Sequence, residues 1–560
     1  MEERITPQEL RKNIKGLKKK KSPGPDGILI DMIKHLCPHA LSTLLDLSNS
    51  WRTGCGPEVW KEAHIIPIHK KGKSKTDPLS YRPIGLISCV GKLLEKIINK
   101  RLMHHLETNG IISPTQSGFR KNKTTEDQLT YFVQNIENAF QEQKSMLSVF
   151  FDLSKAFDTF WKDGLRLKLL QSNIQGTMYK WISNFPHNRT ARVKLDGKYY
   201  SKQAIMKEGV PQGSAISPTF FLVYINDITP AITSYVKHTL HADDFAIWST
   251  AEYATTAKVR VQATVDKVFK WSQDWGLTIN LNKTVTTKFS LKTKQRDVIL
   301  TMNGQPLPTE DTPTFLGITL DKRLTWKPHI QKINQKAIRR SQIMKKLSDT
   351  KSGANSKILR QVYQGYIRPV MEYASPAWST TATSNLTSLS KTQNQNLRIV
   401  LGAIKSTPTK ELHKQAEMDT LENRREQRTL TLYEKSKRNP THPLHNISRE
   451  KTKNRLKSRK SPNHVMKEKF KENQDLLWQT DRYESLKLAE SPWENNIVSI
   501  SYTIPGIERK NEKDTNNLRV KTLEHIDNTY PHDTWTHIYT DGSSDRQHEG
   551  RRRWNPHLAL

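Results

Sequence analysis

The chain has 560 residues and carries 90 Lys and Arg against 55 Asp and Glu, a formal charge of +35. Solubility alone does not call for so lopsided a total; it implies a polyanionic partner, because each phosphate neutralised releases counterions. The three cysteines, Cys37, Cys55 and Cys89, show no Cys-x-x-Cys spacing, no apolar run approaches the ~20 residues that span a bilayer, and Met1-Glu-Glu-Arg-Ile lacks a signal-peptide core, so a disulfide scaffold, a zinc knuckle and a membrane partner are excluded and an intracellular protein is expected.

Residues 1–20 read as a basic amphipathic helix, with Ile5, Leu10, Ile14 and Leu17 on one face and Thr6-Pro7 near its start. It runs into Lys18-Lys-Lys-Lys21-Ser-Pro-Gly-Pro-Asp-Gly27, a forced turn. The lysine cluster is open between a phosphate contact, a nuclear signal and a solvated helix end. Helices are then expected near 28–54, 89–107, 124–143, 162–185, 217–228 and 252–275, and strands near 63–69, 146–152, 191–196, 235–248 and 283–290. This alternation predicts an α+β or α/β layer arrangement with helices on one side of a sheet. A strand is expected over 313–320, a Lys- and Arg-rich helix over 327–347, and apolar helices over 359–377 and 386–404. Residues 435–475 are rich in Lys, Arg, Asn, Ser and Pro and read as linker or disordered.

Chemistry concentrates on three acids. Asp243 and Asp244 sit side by side inside the apolar segment Tyr235 to Trp248, and Asp152 ends the apolar run Leu147-Ser-Val-Phe-Phe. Adjacent anions about 4 Å apart repel by roughly 4 kcal/mol at an effective dielectric near 20, which favours a bound cation. Magnesium suits such a site, since it takes one or two carboxylates and leaves positions for water and phosphates. Two such ions can stabilise both oxygens of an in-line phosphoryl displacement. A solvated hairpin turn is the plain alternative for the Asp pair taken alone. The turn after Asp152 offers the Leu153 carbonyl as a further metal ligand. Phe157 is read either as a wall against the sugar 2′ position or as a core residue. In Gly209-Val-Pro-Gln-Gly-Ser214 the glycines permit close backbone approach, so Gln212 and Gly213 are expected against an incoming nucleotide and its template.

In chain order, Tyr81-Arg-Pro-Ile84, Gln116-Ser-Gly-Phe-Arg120, Phe151 to Asp158, Gly209 to Ser214, Ala242-Asp-Asp244, Asn280-Leu-Asn-Lys283-Thr and Phe315-Leu-Gly317 resemble the successive blocks of a reverse transcriptase. With Lys21 to Gly27 before them and Tyr366 to Trp378 after, the chain is similar over about residues 1–420 to the polymerases of non-LTR retrotransposons, the jockey-like group in particular.

The resemblance implies an α+β right hand of fingers, palm and thumb with an antiparallel palm sheet, followed by a helical connection and the start of an RNase H-like segment. It divides the chain into an N-terminal helix (1–20), fingers and palm (21–290), thumb and connection (291–434), a largely disordered basic linker (435–530) and an incomplete RNase H-like segment (531–560). It implies that Asp152 and Asp243 bind two Mg2+ ions, or Mn2+, with Asp244 in support. Arg82, with Lys70 or Lys71, would contact the triphosphate, Phe157 would be the sugar gate, and Lys283 would donate a proton to pyrophosphate. The implied partners are an RNA template, a DNA primer or target DNA, and deoxynucleoside triphosphates, with the nucleus as the place of action.

Three features depart from the family pattern. His241 stands where an aromatic is usual, Pro186 falls where an apolar helix tends to continue, and Asp541 in His537-Ile-Tyr-Thr-Asp541-Gly would be the first acid of an RNase H fold for which no length remains. No RNase H activity is expected, and no endonuclease domain precedes the polymerase, so the sequence reads as a piece of a larger frame or a degenerate copy. The alternative function is a catalytically inactive relic or a repurposed RNA-binding protein. An intron maturase or telomerase-like polymerase shares the blocks around the acids but fits the later segments poorly.

Overall fold

Thr6 opens the first helix by accepting the Glu9 amide at 3.2 Å, and Pro7 takes a first-turn position that needs no amide partner. This helix, α1 (Pro7–Lys15), buries Leu10 and Ile14 beside Ile5. It is not an appendage, because Glu9 forms a buried bidentate ion pair with Arg101, at 3.1 and 2.6 Å. The computed structural model describes residues 2–293, 298–349, 353–453, 455–477 and 515–529.

One helix expected over 28–54 is two, α2 (Ile30–Lys34) and α3 (Pro38–Asn49), because Pro38 starts a helix but cannot continue one. Strands β1 (Glu62–His69) and β2 (Tyr81–Leu86) follow, then α4 (Cys89–Thr108) and α5 (Thr125–Gln141). Thr124 and Asp127 close a reciprocal capping box at the start of α5. Strand β3 (Ser145–Phe151) stops at Asp152, and β4 (Leu153–Ser154) resumes beyond it. The helix expected over 162–185 is also two, α6 (Lys162–Gln171) and α7 (Gly176–Asn184), parted where Asn173 and Gly176 take positive φ. Pro186 lies beyond the end of α7 and interrupts nothing. Next come β5 (Thr190–Leu195), β6 (Tyr199–Tyr200), β7 (Ala204–Ile205), α8 (Ser217–Ile225), β8 (Lys237–His241), β9 (Asp244–Ala251), α9 (Ala254–Asp274), β10 (Thr278–Ile279) and β11 (Val285–Phe289).

The central sheet runs β11-β3-β9-β8 with every neighbour antiparallel. Helices cover both of its faces, not one. Leu147, Val149, Phe151, Phe245 and Ile247 point into the core shared with α9, whereas Met146, Phe150, Ala246 and Trp248 pack with Phe132 of α5. Coverage on both sides explains why β3 is buried at every position and apolar apart from Ser145 and Ser148. A second, mixed sheet runs β2-β1-β5-β6 with β7 also on β5; β1 pairs antiparallel with β2 and parallel with β5. The short β4 pairs with β10.

Downstream, β12 (Thr301–Met302) pairs with β13 (Gln305–Pro306), and β14 (Thr314–Phe315) with β15 (Ile318–Thr319). The strand expected over 313–320 is thus a tight hairpin, turned at Leu316 and Gly317, whose φ values of 45° and 85° give the left-handed pair that a two-residue turn favours. Helix α10 (Lys327–Leu347) has the expected bounds. Over 359–377 the chain forms α11 (Ser356–Val362), a π-helical turn at Tyr363–Ile367 and α12 (Arg368–Glu372), followed by α13 (Thr383–Leu401) and α14 (Thr409–Gln415). These elements share one core with α5 and the second face of the central sheet, through Phe289, Phe315, Trp326, Tyr363 and Trp378. Residues 1–494 accordingly make one compact unit with no break at 290 or 434. A second unit spans 495–560; its described part is α19 (Thr515–Thr529). The segment around Asp541 lies outside the described residues.

The reading of 435–475 as linker or disordered is overturned. Helices α15 (Leu421–Arg438), α16 (His445–Arg449), α17 (Pro462–Glu472) and α18 (Gln474–Leu477) occupy this stretch, with Leu432, Tyr433, Leu444 and Met466 as a small core. Polar contacts to α5 do the rest. Lys435 reaches Asp127 at 2.6 Å, and Arg459 grips Glu137 at 2.7 and 2.9 Å. Burial alone would push the Asp127 carboxyl up, but His442 and Lys435 outweigh it and hold the group below its usual range. Composition signals disorder when a segment has nothing to bury; here its cations meet acids some 300 residues upstream.

No helix among the described residues is long and apolar enough to cross a membrane. His329 in α10 makes the fold sensitive to acid. It is fully buried, its Nδ1 accepts the Thr319 amide at 3.3 Å, and burial, helped by Lys332, pushes its pKa down to about 4. The unfolded chain takes up a proton near pH 6.5 that the folded chain refuses until about pH 4, so this stability is complete above about pH 6.5 and is lost as pH falls through that window. His238, also pushed to about 4 by burial, acts in the same direction. The thermal midpoint is therefore expected to drop between about pH 7 and pH 5. His329→Gln, which keeps an acceptor but cannot titrate, should remove on the order of 2 kcal/mol of that loss at pH 5.

Candidate active site

Asp152 owes its place to the end of β3. Its amide donates to Thr284 Oγ1 at 3.3 Å, and its carbonyl accepts the Asn280 amide at 2.8 Å, so the loop before β11 fixes the backbone on both sides. Phe151 pairs with Phe245 across β3 and β9, their rings stacked at 4.9 Å. One step beyond that pair, the register carries Asp152 to the β8–β9 turn, which is closed by the pair His241 and Asp244 and capped by Ala242 and Asp243. The three acids thus meet at one end of the central sheet.

The turn is strained and held. Ala242 has φ +57°, a conformation that costs a non-glycine residue about 1–2 kcal/mol. Gln116, buried in the segment between α4 and α5, accepts the Ala242 amide at 2.9 Å and the Gly118 amide at 2.8 Å through Oε1. Ser117 adds its hydroxyl to the Leu240 carbonyl and to His241 Nδ1, at 3.2 and 2.9 Å. Neither residue was assigned a role from sequence. The available signal was a polar residue beside glycine in an otherwise unexplained block. Gln116→Ala leaves two buried amides without an acceptor, so it is expected to cost about 1–3 kcal/mol in urea unfolding and to speed hydrogen exchange at the Ala242 amide.

Charge is crowded here. Burial, then the nearby Asp152, raises the Asp243 carboxyl above its usual range, and burial, then Asp243 and Asp152, pushes Asp244 up to about 6. Lys283 places its ammonium 3.4 Å from Asp152 Oδ2. Burial keeps His241 below its ordinary value, although Asp243 pulls the other way. Among the described residues no three Asp, Glu, His or Cys side chains close into a ready-made metal cage. In donor chemistry, three mutually repelling carboxylates still fit a hard divalent cation.

A second cluster adjoins the acids. Phe157 is half-buried, its ring 5.0 Å from Phe221 and 6.4 Å from Phe119. The Val210 amide donates to the Phe157 carbonyl at 2.9 Å, and a Cβ at Gly209 would fall 2.6 Å from the Asp158 carbonyl, so that position admits only glycine. Gln212 donates its side-chain amide to Asp158 Oδ1 at 2.8 Å and accepts the Gly85 amide of β2 on its carbonyl at 2.6 Å. Gly213, at φ +133°, would drive a Cβ to 2.4 Å from the Gly85 carbonyl. The loop is therefore clamped between the turn after β4 and strand β2. Glu95, which the sequence reading passed over inside an apolar stretch of α4, accepts from Ser214 Oγ and the Ala215 amide, both at 2.7 Å.

Arg82 is exposed on β2, three residues before Gly85, and makes no ion pair among the described residues. Leu153 buries its side chain and pairs with Ile279. Lys70 donates to the Leu79 carbonyl, and Lys71 is exposed.

Residues 68–320 match the family described as reverse transcriptase (RNA-dependent DNA polymerase). The chain carries a reverse transcriptase domain. It is homologous to the RNA-directed DNA polymerases of non-LTR elements, as the order of its blocks implied. It is 29% identical over 463 residues to the probable RNA-directed DNA polymerase from transposon BS of Drosophila melanogaster, covering 80% of this chain and 51% of that protein. It is 30% identical over 410 residues to the RNA-directed DNA polymerase from mobile element jockey of the same species, covering 71% of this chain and 44% of that one. The chain thus spans about half the length of these relatives. Among solved structures, apo telomerase from Candida tropicalis aligns over 74% of each chain at 12% identity, with a TM-score of 0.35. The reverse transcriptase domain includes Arg82, the three acids, Phe157, the Gln212 loop and Lys283. Helices α1–α3 precede it and α10 onward follow it.

Proposed function

We propose that this chain is an RNA-directed DNA polymerase that extends a DNA primer, or a nicked target DNA, on an RNA template from deoxynucleoside triphosphates. The observation that carries this reading is the meeting of Asp152 with the Asp243–Asp244 turn at one end of an antiparallel sheet. In this reading the β11-β3-β9-β8 sheet is the palm of a right hand, the β2-β1-β5 sheet belongs to the fingers, and α10 with the helices after it forms thumb and connection.

Asp152 and Asp243, aided by Asp244 and the Leu153 carbonyl, would hold two magnesium ions, or manganese in their place. Bound there, such ions supply positive charge to both the attacking and the leaving oxygen of an in-line displacement. Arg82, exposed and unpaired, would steer the triphosphate, with Lys71 beside it. Lys283 would serve the leaving pyrophosphate as proton donor once Asp152 is otherwise engaged. Gln212 and Gly213 would form the floor under the new base pair, a role suited to a loop clamped on two sides.

Phe157 would exclude ribonucleotides by blocking the 2′ hydroxyl. Phe157→Val is expected to raise the ratio of ribonucleotide to deoxynucleotide incorporation about tenfold or more, the size of a clash worth ~1–3 kcal/mol. Single-nucleotide extension measures it; an unchanged ratio would leave Phe157 as a packing partner of Phe221 alone. The function itself is tested by primer extension with the purified chain on an RNA template, with magnesium and deoxynucleotides. Salt-dependent RNA binding without incorporation would instead favour a catalytically inactive or repurposed RNA-binding protein.

A further inference from the structure

Phe119 is a large apolar side chain that none of the roles above uses. It is 53% exposed, belongs to neither main core and takes φ +56°. Among the described residues one other aromatic has a positive φ, Trp326, and that ring is fully buried. Core packing accounts for Trp326. It does not account for Phe119, and a bulky residue held in the left-handed region with no core contact in return marks a functional position.

The loop leaves this residue no freedom to relax. Before it, Gln116 and Ser117 are buried and bonded to the β8–β9 turn, and Gly118 lies so close to Ala242 that no side chain fits. After it, the guanidinium of Arg120 is bidentate on Glu107 and also donates to the Ser113 and Gln116 carbonyls, at 2.8 and 2.9 Å. Fixed neighbours on both sides thus hold one exposed ring in a set place.

What the ring meets is Phe157. Their centroids are 6.4 Å apart and their planes cross at 85°, the edge-to-face arrangement that aromatic pairs favour. Phe157 also packs at 5.0 Å on Phe221 of α8, which is fully buried. The half-buried ring therefore has one core neighbour, which cannot yield, and one loop neighbour, which its own anchors keep from yielding. A clash excludes a substrate only if the wall cannot swing aside, and a side chain keeps one rotamer when packing locks it there.

We propose that Phe119 is a positioning residue for the sugar gate: its ring holds Phe157 in the rotamer that blocks a 2′ hydroxyl, and itself touches no substrate. This rests on the reading of Phe157 as the gate. Because Gln116 bonds the same loop to the Asp243 turn, one segment supports both the acids and the brace.

Single-nucleotide extension with matched ribo- and deoxynucleoside triphosphates tests this in Phe119→Ala, Phe119→Tyr, Phe157→Val and the double variant Phe119→Ala with Phe157→Val. Phe119→Ala is expected to raise the ratio of ribonucleotide to deoxynucleotide incorporation about threefold to tenfold, the size of one edge-to-face contact, through faster ribonucleotide incorporation. Phe119→Tyr keeps the ring and should keep the ratio. The double variant should be as selective as Phe157→Val alone, since a brace acts only through what it braces. An unchanged ratio in Phe119→Ala overturns the proposal, as do effects that multiply in the double variant. So does a KM raised equally for both nucleotides, which would set the ring against the substrate itself. A ratio that rises in Phe157→Val but not in Phe119→Ala rejects the brace and keeps the gate, whereas a ratio unmoved by Phe157→Val rejects the gate and the role of Phe119 with it. Fluorine NMR of para-fluorophenylalanine at position 157 reads the brace without catalysis. One sharp resonance is expected, broadened or split in Phe119→Ala and kept in Phe119→Tyr; a resonance equally sharp in all three overturns the brace even in a chain that extends no primer.

Discussion

Asp243→Asn is expected to lower primer extension by at least about a thousandfold, about 4 kcal/mol of transition-state stabilisation, while RNA binding stays intact. Asp243 sits at the tip of the β8–β9 turn, where burial and Asp152 both work against its ionised form. A protein that tolerates this repulsion does so for chemistry, because a neutral amide of the same size would sit there more comfortably. The substitution should therefore leave the thermal midpoint equal or slightly higher as activity disappears, a divergence that general damage to the fold cannot produce. Asp152→Asn should cost as much activity, and should also release Lys283 from its 3.4 Å contact. Extension within tenfold of the unsubstituted chain for Asp243→Asn would reject the three-acid site.

What could be read in advance followed from local rules. An apolar run ending on an acid predicts a buried strand with Asp152 at its tip, and basic residues on a helical period give α10 its bounds. The helix breaks at Pro38 and Gly176 were written in the same local code, and were smoothed over where apolar periodicity continued across them. The remainder depended on distant partners. Nothing in the composition of 435–475 reveals that Asp127 and Glu137 are buried and await cations, so a segment poor in large apolar residues still packs. Gln116 and Glu95 escaped notice for the same reason, since each acts by accepting backbone amides from another element. The identity of the acids is visible in one dimension, whereas the groups that hold their backbone in place become visible only when the chain is folded.

Gly118→Ala is expected to be the most damaging change outside the acids themselves. An added Cβ would lie 2.2 Å from the Ala242 nitrogen and 2.9 Å from its Cα, whereas ordinary contact begins near 3.4 Å. Both atoms are backbone, so no rotamer change relieves the clash; the turn and the Gln116 segment must separate by about an ångström. That displacement falls on the peptide next to Asp243, and a shift of about 1 Å in a reacting group costs roughly a hundredfold in rate. Overpacking of this kind also costs about 1–3 kcal/mol of stability. The two effects can be told apart, because urea unfolding reports the strain and single-turnover incorporation at saturating nucleotide reports the geometry. Gln116→Ala loosens the same turn without pushing it and should lower stability with a smaller loss of rate, so a Gly118→Ala variant as active as Gln116→Ala would mean that the turn moves freely and that its anchoring does not position the acids.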